Sequence, residues 1–324
     1  MKKHVLVFSR LAEPYLQHLS ARYHVSQLNP KEDITKQLDE FLPSVNGLIG
    51  AGRLIDRSWI ERAPNLQVVS SVSVGYDNYD VQALSNAGVL LANTPGVLTE
   101  STADLAFALL LASARRVAEL SAWTKAGNWQ RTIGPEQFGG DVHGKTLGII
   151  GMGAIGSAIA QRGRWGFGMN ILYSSFSAKP EAEQRFDAKH VSQEQLLQDS
   201  DFVCLAVPLN ASTENLVGAD ELALMKPSAH LINISRGAVV DEPALIEALK
   251  IGQIKGAGLD VYQKEPLQTS PLFELPNVVT MPHAGSATGE TRHAMAMLAL
   301  ENLDLALAGE TPKACVNLAS WTRK

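Results

Sequence analysis

The chain has 324 residues, 45% hydrophobic and 19% charged, with a formal net charge of −5, the balance of a globular protein long enough for two domains. That charge provides no basic field for nucleic acid or an acidic membrane surface. Two cysteines, Cys204 and Cys315, do not make a disulfide framework, and Cys204 lies in the apolar run 202–207, where a buried thiol is expected. The most apolar stretch, 105–114, falls short of the roughly 20 residues that span a bilayer. The opening Met-Lys-Lys-His-Val-Leu-Val-Phe has too short an apolar segment for a secretory signal, so a cytoplasmic protein is expected.

From the N-terminus, apolar runs alternate with amphipathic ones. Strands are predicted over 5–8, 45–49, 68–72 and 89–92, with a weaker one over 24–28; helices are predicted over 13–22, 35–41, 57–62 and 81–86. Such alternation predicts a parallel sheet with helices on both faces. One long helix is then expected to open near Ser101, with Thr102 and Asp104 at its polar start, and to run through Leu109 toward Ala126.

At residues 145–156 the short apolar run Leu147, Ile149, Ile150 leads into Gly151-x-Gly153-x-x-Gly156 and then into Ala158-Ile159-Ala160, which suits a helix. Glycines between a strand and a helix suit a dinucleotide pyrophosphate, which needs a tight turn, a close backbone approach and free N–H groups at a helix N-terminus. Gly151, Gly153, Ala154, Ile155 and Gly156 are therefore the expected pyrophosphate contacts. Alternation resumes beyond, with strands predicted over 171–174, 202–207, 230–234, 258–261 and 278–281. With the first strand these make the six of two mononucleotide-binding halves. Ser192-x-x-Gln195 reads as a capping box, Gly252 closes a helix begun near Asp241, and residues 288–307 form a last helix. The expected fold is α/β, with two doubly wound parallel sheets. A Rossmann dinucleotide-binding domain over 101–286 is inserted in a flavodoxin-like substrate-binding domain over 1–100 and 287–324. Ligands are expected outside the carboxyl ends of the strands.

In an NAD site an acidic residue ends the second strand and binds the ribose 2′-OH. Here that position is Ser174, followed by Ser175, Ser177 and Lys179, with no carboxylate before Glu181. Hydroxyls and an ammonium accept a 2′-phosphate that a carboxylate would repel, so NADPH is favoured over NADH, although no arginine sits at this turn.

Three ionisable residues follow predicted strands of the same domain: Arg236, Glu265 and His283. The remaining histidines, His4, His18, His24, His143, His190, His230 and His293, lack that setting and any metal-ligand spacing, so no metal is expected. Trp123, Trp129 and Trp165 read as core or interface anchors.

Several segments together carry a family resemblance over essentially the whole chain. They are Ser73-Val-Gly-Tyr-Asp-Asn78, Asn93-Thr-Pro-Gly-Val-Leu-Thr99, the glycine turn, Ser235-Arg-Gly237, Gly258-Leu-Asp-Val261, Glu265-Pro266 and Pro282-His-Ala-Gly-Ser286. The chain resembles the D-isomer-specific 2-hydroxyacid dehydrogenases, and within them the bacterial glyoxylate/hydroxypyruvate reductases, a group that includes 2-ketogluconate reductases. The resemblance implies an NADPH-dependent reductase of small 2-oxoacids to D-2-hydroxyacids. An NAD-dependent D-lactate-like dehydrogenase and a non-catalytic dinucleotide sensor stand as alternatives. It implies that Arg236 holds the substrate carboxylate and carbonyl, that His283 donates the proton, and that Glu265 orients His283. It further implies that Val74, Gly75 and Ser286 touch substrate, and that Asp260, Thr102 and Pro208 touch the cofactor. By the same analogy a homodimer is expected, with the 129–140 loop at its contact.

Overall fold

The computed structural model describes residues 2–320. The chain divides into two compact units, one running to Leu98 and resuming at Thr288, the other spanning Thr99–Ala287.

The first unit begins β1 (His4–Val7), α1 (Glu13–Arg22), β2 (His24–Gln27), α2 (Ile34–Phe41), β3 (Gly47–Gly50), α3 (Arg57–Glu61), β4 (Val68–Ser71), α4 (Val81–Asn86) and β5 (Leu90–Ala92). Its sheet is parallel, in the order β2-β1-β3-β4-β5, the flavodoxin-like winding. Asp33, Asp56 and Asp80 cap the three helices that follow them. Along β1, Val5 and Val7 enter one apolar cluster while Leu6 and Phe8 enter another, so the strand is buried on both faces.

The second unit continues with α5 (Thr99–Ala114), α6 (Val117–Lys125), β6 (Thr146–Ile150), α7 (Ala154–Gln161), β7 (Asn170–Ser174), α8 (Pro180–Phe186) and β8 (Lys189–His190). It goes on through α9 (Gln193–Asp199), β9 (Phe202–Leu205), α10 (Ala219–Leu224), β10 (His230–Asn233), α11 (Glu242–Lys250), β11 (Gly256–Leu259) and β12 (Val278–Thr280). The sheet order is β12-β11-β10-β9-β6-β7-β8, all parallel, which is the Rossmann winding with one added edge strand. Leu147, Ile149, Cys204 and Ile232 face one core, and Ile150, Val203, Leu205 and Leu231 the other. Cys204 is the buried thiol expected, 1% exposed.

The last helix, α12 (Gly289–Ala308), capped by Thr288, returns to the first unit and packs on β3, β4 and β5. Ser70 Oγ donates to the Ala299 carbonyl at 2.7 Å, tying β4 to its middle.

Two expectations need correction and a third is narrowed. The predicted helix from Ser101 toward Ala126 is two helices. It stops at Ala114 because the 134–140 loop folds back on its end: the Gly140 amide donates to the Ala114 carbonyl at 2.8 Å. Arg116 turns left-handed (φ 55°), and its guanidinium reaches the Glu136 carbonyl at 2.6 Å and the Glu119 carboxylate. The second sheet has seven strands and not six; β8 went unpredicted because its two residues are polar and exposed on the sheet edge. Of the tryptophans read as core or interface anchors, Trp129 and Trp165, 64% and 60% exposed, lie outside the core, which leaves the interface alternative for them.

Candidate active site

The glycine turn leaves the carboxyl end of β6 beside that of β7, where Ile150 pairs with Ser174 and the Gly151 amide donates to the Ser174 carbonyl at 2.9 Å. Gly151 has φ +102°, and a side chain on it would lie 2.5 Å from the Ala206 carbonyl. At Gly156 a Cβ would come within 2.1 Å of the Gly151 carbonyl, so the first turn of α7 lies directly on the loop. Around Gly153, by contrast, nothing stands within 4 Å. Two glycines permit close packing and the third faces open space, toward which the N-terminal amides of α7 at Ala154 and Ile155 have no intrahelical acceptor. These residues fit a pyrophosphate.

Beyond β7, Ser175 Oγ donates to the Ser177 carbonyl at 2.7 Å and Lys179 Nζ to Ser177 Oγ at 3.1 Å, giving a turn with hydroxyls, one ammonium and no carboxylate among residues 174–179. Pro208 is exposed past the end of β9, and its carbonyl accepts from Thr213 Oγ1 at 2.6 Å.

Arg236 follows β10 on a turn shaped by Asn233. That side chain accepts from the Ser235 amide (3.0 Å) and hydroxyl (2.8 Å) while its Nδ2 donates to the Arg236 carbonyl (3.0 Å). Gly237 then packs its backbone on that of Tyr262: a Cβ would sit 1.8 Å from the Tyr262 carbonyl carbon, so only glycine lets the two turns meet. This contact brings the turn carrying Arg236 to the loop carrying Glu265. Tyr262, 7% exposed, anchors that loop through its hydroxyl, which donates to the Met281 carbonyl at 2.9 Å; burial pushes the phenol up to about 12.

Asp260 sits just past β11, 1% exposed. Its carbonyl accepts from the His283 amide at 2.9 Å, and its two carboxylate oxygens accept from the Ala284 amide at 2.6 Å and the Gly285 amide at 2.8 Å. His283 is thereby held left-handed, φ 53°. The Asp260 carboxyl is pushed up by burial, against the pull of the two amides. Thr102, buried in the first turn of α5, lies with its methyl 3.3 Å from where a Gly285 side chain would begin; Ser286 follows on the same turn.

Held so, His283 Nδ1 meets Glu265 Oε2 at 2.6 Å, while Glu265 Oε1 accepts from the Tyr262 amide at 3.0 Å. Burial pushes the Glu265 carboxyl up, but the hydrogen bonds from His283 and Tyr262 and the charges of His283 and Arg236 outweigh it and hold the group below the usual carboxylate range. A carboxylate on Nδ1 fixes the tautomer and leaves Nε2 to face a reactant.

Val74 and Gly75 belong to the first unit, beyond β4. Asn93 Nδ2 donates to the Val74 carbonyl at 2.9 Å, and among the described residues neither amide N–H has a hydrogen-bond acceptor. Sequence reasoning missed Asn233 and Tyr262. An Asn two residues before a Ser at a strand end is an available turn signal; Tyr262 carried none.

Residues 107–285 match the family model described as D-isomer specific 2-hydroxyacid dehydrogenase, NAD binding domain. The chain is 50% identical over 319 residues to glyoxylate/hydroxypyruvate reductase B of Pectobacterium carotovorum, covering 98% of each. Among solved structures it is similar to a glyoxylate reductase from Paecilomyes thermophila (33% identity, TM-score 0.88, 97% of this chain and 98% of that one). It is also similar to an NADPH-dependent glyoxylate/hydroxypyruvate reductase of Sinorhizobium meliloti, solved with NADP and malonate (30% identity, TM-score 0.88, 100% and 99%). The chain belongs to the D-isomer-specific 2-hydroxyacid dehydrogenase family. It is an oxidoreductase that uses a nicotinamide dinucleotide. No helix among the described residues is long and apolar enough to cross a membrane.

Proposed function

We propose that the protein reduces small 2-oxoacids, glyoxylate and hydroxypyruvate first and 2-ketogluconate as a further candidate, to D-2-hydroxyacids with NADPH as the preferred donor. The observation that carries this reading is the pairing of His283 Nδ1 with Glu265 at 2.6 Å, with the charge of Arg236 acting on the same carboxylate. A bound reduced nicotinamide supplies the hydride for C2 of the oxoacid. Arg236 takes the substrate carboxylate and carbonyl through its planar fork, polarising the C=O, and the free amides of Val74 and Gly75 are further substrate donors. Ser286 lines the same substrate. As C2 is reduced its oxygen becomes an alkoxide; His283, held as the imidazolium by ionised Glu265, delivers the proton from Nε2 and is left a neutral ring.

The unit running to Leu98 and resuming at Thr288 then serves the substrate and the Thr99–Ala287 unit the cofactor. Gly151, Gly153, Ala154, Ile155 and Gly156 hold the pyrophosphate, Pro208 and Thr102 border the dinucleotide, and Asp260 offers the remaining lone pairs of its oxygens to the nicotinamide carboxamide. Ser174, Ser175 and Lys179 receive the 2′-phosphate, a reading supported by the missing carboxylate at Ser174 and by the NADP held in the S. meliloti relative. The protein works in the cytoplasm as a homodimer. Exposed Val117, Trp129, Ile133 and Phe138, on α6 and the following loop, offer the apolar contact.

A panel of 2-oxoacids assayed in parallel with NADPH and NADH tests the reading. The expected result is a higher kcat/KM for glyoxylate or hydroxypyruvate with NADPH. A clear NADH preference overturns the cofactor assignment, and no NADPH oxidation with any oxoacid overturns the activity.

A further inference from the structure

Phe176 stands apart from every other large apolar side chain among the described residues. It is 109% exposed, whereas the next most exposed, Ile251, Trp129, Leu54 and Trp165, remain at 60–65%. It lies two residues beyond Ser174, whose carbonyl accepts from the Gly151 amide, so its loop shares an edge with the glycine turn. Its neighbours Ser174, Ser175, Ser177 and Ala178 give it no apolar cover.

The loop is nevertheless pinned at both ends. Tyr173, fully buried, accepts from the Lys179 amide at 2.6 Å and donates to Glu183 Oε1 at 2.6 Å, stapling the last residue of the loop to the strand that starts it. His190, on the edge strand β8, stacks on the Tyr173 ring (centroids 4.9 Å apart, planes at 25°) and donates from Nε2 to the Ser175 carbonyl at 3.1 Å. A flexible loop could fold a phenyl ring away from water; a loop held by a buried hydroxyl and a stacked imidazole keeps it out. An ordered, uncovered aromatic ring beside a dinucleotide turn suits a partner with a flat π face.

We propose that Phe176 is the platform on which the adenine ring of NADPH stacks, with His190 as the positioning residue that presents it. This rests on the cofactor reading above. The adenine is the part of the dinucleotide beyond its 2′-phosphorylated ribose, and Lys179 with the serine hydroxyls flanks Phe176 with the charge and donors a phosphate needs. The platform replaces hydrogen-bond reading of the base by stacking, which suits a turn that has no arginine to lie over the ring.

The test reads binding directly by titration calorimetry. For Phe176→Ala, Kd should rise about tenfold for NADPH, for NADH and for adenosine 2′,5′-bisphosphate, which carries the adenine without a nicotinamide. Reduced nicotinamide mononucleotide, which lacks adenine, should bind as to the wild type. Phe176→Trp should restore binding. His190→Ala should reproduce part of the loss, His190→Gln should recover it by donating from the same place, and Phe176→Ala with His190→Ala should lose no more than Phe176→Ala alone. Unchanged adenine-ligand affinity in Phe176→Ala overturns the proposal, and so does a change in assembly mass on that substitution, which would assign the ring to a contact between copies. A wild type that binds NADH tightly and NADPH poorly breaks the cofactor preference alone, because stacking is still read with NADH.

Discussion

The two units have the same plan, a doubly wound parallel sheet, and differ in what they carry at the carboxyl edge. In the first, the strands run out into Ser9, Gly50-Ala51-Gly52, Ser73-Val74-Gly75 and Asn93-Thr94, small or uncharged residues that hydrogen-bond among themselves, as the Ala51 amide does to Ser9 Oγ at 3.0 Å. In the second, the corresponding ends carry Arg236, Asp260, Glu265 and His283, with the His283, Ala284 and Gly285 amides all taken up by Asp260. Winding alone therefore places loops at an edge without making them reactive. Chemistry enters where ionisable groups are held by their neighbours in a chosen protonation and direction. The sheet's amino edge shows the converse: His230, at the start of the same strand that leads to Arg236, is buried against Ser113 and Phe202 and held neutral.

The sharpest way to break this comparison is His283→Ala. We expect kcat to fall about 10²- to 10⁴-fold, with cofactor Kd within twofold of wild type, because the proton is needed only as charge develops on the substrate oxygen. Steady-state kinetics with a parallel NADPH titration reads both, and a near-wild-type kcat would move the acid elsewhere.

A smaller effect, on stability alone, is expected from His230. Burial, helped by the charge of Lys255, holds its imidazole down to about 4. In the unfolded chain it titrates near its ordinary value of about 6.5. Between those limits the unfolded state binds a proton that the native state refuses, so stability falls as pH drops from about 6.5 toward 4, by up to roughly 3 kcal/mol. His230→Asn, which keeps a polar atom near Ser113, should flatten that part of the pH dependence in urea unfolding without changing kcat at neutral pH. A variant with the wild-type slope would show that another group titrates.

The smallest effect belongs to the first unit. Asn317, 3% exposed, accepts from the Leu91 amide at 2.8 Å and donates to the Val89 carbonyl at 2.9 Å and to Ser85 Oγ at 3.1 Å. Asn317→Ala should cost about 2 kcal/mol in unfolding and leave kcat alone. A drop in kcat as large as that of His283→Ala would erase the division between the two carboxyl edges.

Local pattern carried most of the architecture. Apolar runs bounded by turn residues marked β1, β4, β7 and β9, and Asp241 marked the start of the helix it caps, because burial of a short run and capping of a helix involve residues a few positions apart. The glycine turn was legible for the same reason, since strand, turn and helix N-terminus are contiguous. Arg236, Glu265 and His283 could be picked out as ionisable residues after strand ends. Nothing in their spacing shows that Glu265 takes Nδ1 of His283, or that Gly237 meets the backbone of Tyr262.

What the amino-acid order determined by itself was the parade of elements and the chemical types at their ends, because propensity, periodicity and capping act within a few residues. Tertiary structure alone decided where the long helix breaks, since the 134–140 loop must fold back to cap Ala114, and whether two polar residues at 189–190 join a sheet, since only the edge of β7 gives them a partner. It also decided the orientation of His283, through a carboxylate 23 positions earlier in the chain that grips the two amides after it. Contacts across such distances depend on the closed fold, so they become visible only once the sheet has brought its strand ends together.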